Sequence, residues 1–149
     1  MKKKTIYFLR IALLFAGIFL LYNIFWIAWR YLKYKEYISG FSEFSRYSSY
    51  VLNPNDGFLY NVKEPDYLSY TGNLGISTDN NRVALIIWPK VFNGYNIGTQ
   101  IIVDDITYCV MLSPELTAKD PYYQNIVDDN INTILELQKK AEIKWGIDI

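Results

Sequence analysis

The sequence predicts an α+β protein: one N-terminal transmembrane helix extends into a small antiparallel β-meander of three to four strands, and a C-terminal helix covers the meander. Three observations predict it. Ile11 to Trp29 is a 19-residue run without a charged side chain. Between Leu68 and Leu112, segments of strand length alternate or run apolar between turn residues. Beyond Asp120, apolar residues recur at helical spacing.

At about 1.5 Å per residue the apolar run measures roughly 28 Å, close to the roughly 30 Å hydrocarbon core of a bilayer. Lys2, Lys3 and Lys4 resemble the basic start of a cleaved signal peptide, but the run is longer than the usual apolar core of one. It also ends in Phe25, Trp26 and Trp29 rather than small residues, so an uncleaved signal anchor is expected. The resulting division is a short cytoplasmic tail over 1–10, the anchor over 11–29, a juxtamembrane helix over 30–50 and an extracytoplasmic domain over 51–149. Arg10, Trp26, Trp29 and Arg30 are the expected membrane-interface anchors. The excess of basic residues before the span keeps the N-terminus in the cytoplasm and places the domain outside. Within the span Ala12, Ala16 and Asn23 share one helical face, a candidate contact for a second transmembrane helix. Chance occurrence in a lone anchor is the competing explanation.

Past the bilayer, Tyr34, Tyr37, Ile38, Phe41 and Phe44 fall on one helical stripe with Glu36, Glu43 and Arg46 opposite, which extends the helix toward Ser49. Asn53 to Gly57 is dense in turn residues and ends it. A calcium loop is a poor reading of that segment, because the position that should hold the bidentate acid is Lys63. Leu68, Tyr70, Leu74 and Ile76 alternate with Ser69, Thr71, Asn73 and Ser77 as a half-buried strand, in which Gly72 and Gly75 suggest bulges or bends. Asp79-Asn80-Asn81 turns the chain into an apolar strand from Val83 to Trp88, with Pro89 marking a bulge or edge. Asn93-Gly94 predicts a type I′ hairpin into Tyr95–Val103, and Asp104-Asp105 a second tight turn into Ile106–Leu112. Asp120 caps a helix with Pro121 in its first turn, and Tyr123, Val127, Ile131, Ile134, Ala141 and Trp145 form its apolar stripe. A long N-terminal helix followed by a β-meander resembles the general plan of pilin-like proteins. Neither a prepilin cleavage site nor the glutamate near the mature N-terminus is present, so the likeness carries no function.

Charge and composition exclude several function classes. Met1 to Arg30 holds five basic residues and no acid, which leaves 10 basic against 15 acidic residues beyond it, a net charge of −5. No nucleic-acid partner is expected of such a domain. Histidine is absent, which removes every mechanism that needs an imidazole. The single cysteine, Cys109, cannot form an internal disulfide; it is expected to be buried in the last strand, with a disulfide to another subunit as the alternative. Asp104 and Asp105 could act as a carboxylate pair only at a turn. No Walker loop, dinucleotide fingerprint or nucleophile with a base is found, so no enzyme, cofactor or metal site is expected. Tyr67, Trp88, Tyr95 and Tyr122 are candidate surface aromatics for a sugar or a protein. The leading expectation is a single-pass, membrane-anchored domain that interacts with another envelope or membrane protein. The alternatives are an envelope glycan or small-ligand binding domain, and an accessory subunit that docks through its transmembrane helix.

Overall fold

The structure is a computed structural model that describes residues 2–45 and 49–149. The chain divides into two compact units, residues 1–35 and 36–149. The first is a single helix, α1 (Lys2–Tyr34), whose segment Ile6–Tyr34 is long and apolar enough to cross a membrane. Its apolar side chains, from Ile6 through Ile27, are largely exposed on all sides rather than gathered on one face.

The second unit is an open antiparallel sheet with helices on one face. A short edge strand, β1 (Ser42–Ser45), precedes six others: β2 (Ser49–Leu52), β3 (Phe58–Lys63), β4 (Asn73–Thr78), β5 (Val83–Pro89), β6 (Tyr95–Val103) and β7 (Ile106–Leu112). Each pairs with the next in sequence, so spatial order equals chain order. The last four are the strands expected from sequence, and the sheet is larger than the three to four anticipated because β1 to β3 stand before them.

Of these, β1 and the start of β2 occupy the region where a helix was expected. The helix expected over 30–50 is formed only to Tyr34, where α1 ends; beyond it turns close through Ser39 to Glu36 and Phe41 to Ile38 with Gly40 at a positive φ, and β1 follows. Tyr37 and Ile38 therefore belong to a turn, not to a helical stripe. The side chains of Glu43 and Phe44, and Arg46 altogether, lie outside the described residues. The turn at 53–57 is present, but it joins β2 to β3. Asn55 and Gly57 take positive φ there, and the Asn53 and Asp56 carboxamide and carboxylate oxygens accept from the backbone of Asn55 and Phe58.

Two further boundaries differ from expectation. The strand expected from Leu68 begins only at Asn73, because Leu68 has a positive φ within a turn closed by Ser69 N–H to Asp66. The long C-terminal helix is divided into a 3-10 turn (Pro121–Tyr123), α2 (Gln124–Asp129) and α3 (Ile131–Trp145). Asp120 caps the 3-10 turn by accepting from Tyr122 N–H at 3.0 Å. The break falls at Asn130, whose side chain donates back to the Ile126 carbonyl at 2.9 Å. Gly146, left-handed at φ 63°, closes α3 through its N–H to Glu142.

The core lies between α3 and one sheet face. Strand register sets two continuous rows there: Val62, Leu74, Ile87, Ile97 and Leu112, beside Tyr60, Ile76, Leu85, Thr99 and Val110. All ten are buried. Ile134, Leu137 and Ala141 of α3 and Val127 of α2 are fully buried as well, and Trp145 meets Tyr60 edge-on at 5.9 Å between ring centres. Lys140 fastens the outside of this layer, pairing with Asp56 at 3.3 Å and lying over the Phe58 ring. Within residues 36–149 no described helix packs on the opposite face.

Candidate functional site

The face of the sheet opposite α3 holds the candidate site. Two rows cross it in register: Asn61, Gly75, Ile86, Gly98 and Met111, and beside them Leu59, Ser77, Ala84, Gln100 and Cys109. Small residues at Gly75, Ser77 and Ala84 fall together on neighbouring strands. Larger ones, Leu59, Ile86 and Ile102, stand around them, and the result is a hollow of about 380 Å³. That is at the small end of the roughly 300–1,000 Å³ usual for ligand sites.

The hollow is uncharged and rich in amides. Asn61, Asn73, Asn81 and Gln100 line it with Ser77, and no acidic or basic side chain does so. Ser77 donates to the Asn81 carboxamide at 2.9 Å. The side chains of Asn61, Asn73 and Gln100 have no hydrogen-bond partner among the described residues. The Asn61 amide lies directly over Gly75, where a Cβ would stand 2.1 Å from its Oδ1. Trp88 uses the other glycine of this face in the same way, since a Cβ on Gly98 would stand 3.0 Å from its ring. Gly75 is therefore in regular register with Asn61 and Ile86, not at the bulge expected of it.

Lys63, in register with Asn73 on this face, pairs with Asp66 at 2.9 Å, and a separate, smaller hollow places Arg82 with Asp104 and Asp105 beside Ile102. Both aspartates are exposed, and both have positive φ in the two-residue turn between β6 and β7. The turn expected at Asn93-Gly94 is instead a longer loop from Lys90 to Gly94, in which Lys90 N–H reaches the Gly94 carbonyl. Phe92, at its tip, is 88% exposed.

The remaining sequence candidates scatter. Cys109 is exposed on the open face, a correction to its expected burial: strand alternation gives the core side to its neighbour Val110. Tyr122 is exposed and edge-on to Tyr123, Tyr67 is exposed in the loop before β4, and Tyr95 points to the side of the sheet opposite Trp88, its hydroxyl 3.5 Å from that of Tyr37. They do not form one platform. On α1, Ala12 and Ala16 are exposed, Asn23 on the same face donates to the Phe19 carbonyl at 2.7 Å, and Arg10 is exposed. The Arg30 guanidinium lies 5.3 Å from the Trp26 ring centre, and Trp29 meets Tyr34 edge-on. Among the described residues no group of three His, Cys, Asp or Glu could hold a metal ion. Titration is shifted elsewhere: burial, then the Asp56 carboxylate, raise the Tyr60 hydroxyl, and the Ser113 hydroxyl with a backbone amide lowers Glu115.

The hollow was not singled out in the sequence, because its residues are spread over four strands and its space comes from what is missing at Gly75, Ser77 and Ala84. Comparison with protein-family models, curated proteins and solved structures finds no match to this chain.

Proposed function

We propose that this is a single-pass membrane protein, anchored by an uncleaved α1 with its N-terminus in the cytoplasm, whose extracytoplasmic domain binds an envelope component on the open face of its sheet. The observation that carries the proposal is the preformed amide-lined hollow on the sheet face opposite α3. The lining offers hydrogen bonds and apolar contact but no nucleophile with a base, so it serves recognition rather than bond-breaking. The length and apolar surface of α1 support the anchor, and the basic residues before it support the orientation. A broad protein interface of about 800 Å² per partner would have to extend well beyond this hollow, so a compact ligand or one projecting segment of an envelope protein fits it better.

Site-specific photo-crosslinking in intact cells tests this. A photo-reactive side chain at Ala84, inside the hollow, should give discrete adducts, while one at Glu136, exposed on α3, should not. Equal labelling from both positions, or none from Ala84, overturns the proposal.

A further inference from the structure

We infer that the hollow on the open face is a site for an uncharged oligosaccharide, a reading that rests on the open face being the binding face. Four features point to this ligand class. Asn61, Asn73 and Gln100 each present a donor and an acceptor side by side with no partner among the described residues, and a sugar hydroxyl is itself both donor and acceptor. No charged side chain lines the hollow, so an ionic ligand would lose hydration there without compensation. Leu59, Ile86 and Ile102 supply apolar surface for the C–H faces of a sugar ring. The indole of Trp88 stands two residues along β5 from Ile86 on the same face, half-buried and braced on Gly98, where a second ring of a saccharide chain would meet it.

A peptide is the less suitable occupant. Extended peptides gain affinity by adding to a sheet edge, whereas the hollow lies over β3 to β6, whose backbone groups are engaged with strands on both sides. The absence of a Cβ at Gly75 leaves the Asn61 amide room to lie flat over the sheet, within reach of a ligand in the hollow.

The full-length protein in detergent micelles, titrated calorimetrically with linear tetramers of N-acetylglucosamine and of glucose, tests the inference. Saturable binding of at least one tetramer is expected. Asn61→Ala and Gln100→Ala should each weaken it about fivefold, the effect of one lost neutral hydrogen bond. Raising salt from about 0.05 M to about 0.5 M should leave the affinity unchanged, because no charge takes part. Both positions are solvent-accessible, and unchanged circular dichroism and melting would show that the variants are folded. The inference is overturned if neither tetramer binds, if both substitutions leave binding unchanged, or if an uncharged hexapeptide binds in their place through Asn61 and Gln100. Protein adducts from Ala84 without tetramer binding would reject the saccharide and keep the binding face; no adduct and no binding would reject both.

Discussion

Two glycines of the sheet region show how much depends on single Cβ atoms. At Gly72 a Cβ would stand 2.1 Å from the Lys63 backbone carbonyl, while at Gly75 the same distance separates it from a side-chain amide that can turn away. Gly72→Ala should therefore destabilise the domain by about 2–4 kcal/mol, and Gly75→Ala by less than about 1 kcal/mol, as read by chemical denaturation. In the sequence both glycines stand out only as bulge or bend points, because a missing side chain does not reveal which neighbour fills its space. Tyr60 gives a second test at this scale. Its hydroxyl is raised above the ordinary 10.0, so the folded state holds the proton more tightly than the unfolded chain does. The associated stability is complete below pH 10.0 and is lost as pH rises through the folded value. Tyr60→Phe removes that dependence, and its alkaline unfolding curve should be flatter than that of the parent above this pH.

Among the elements, α3 bears most of the cover for the core. Leu137 is fully buried and Leu135 is 48% exposed, so Leu137→Ala should cost about 2–5 kcal/mol and Leu135→Ala less than about 0.5 kcal/mol in thermal or denaturant unfolding. The apolar spacing that placed Ile134, Ala141 and Trp145 on one stripe was legible because it runs over several turns. Strands β4 to β7 were legible for the same kind of reason: their turns at Asp79 to Asn81 and Asp104-Asp105 flank runs of six to nine residues. Strands β1 and β2, four residues each, are too short to show alternation, and the aromatic residues from Tyr34 to Phe44 happen to recur at helical spacing. Tertiary pairing then overrides the local pattern, as Ser42 to Val51 and Val51 to Asn61 line up in the sheet.

For the whole molecule, the division at Lys35 and Glu36 sets an expectation about independence. A chain of residues 36–149 should be soluble and should melt in one cooperative transition, which calorimetry would show as equal calorimetric and van't Hoff enthalpies. In the proposed topology, protease added outside intact cells should remove the domain and leave the N-terminal tail protected; protection of the domain would reverse the orientation. The general plan of helix, meander and closing helix was readable from the chain, whereas the candidate site was not, because register alone brings Asn61, Gly75, Ala84 and Gln100 together. The identity of spatial and chain order also governs how the protein is made. Each strand can pair with the one synthesised just before it, so the sheet grows by accretion at a single edge as the chain emerges, without waiting for distant partners. Its apolar side has no α3 lid until Ile134, Leu137 and Ala141 arrive, after every strand has been made. Premature termination before α3 would thus release a nearly complete sheet with one greasy side bare, the form of this protein most in need of a chaperone or most prone to aggregate.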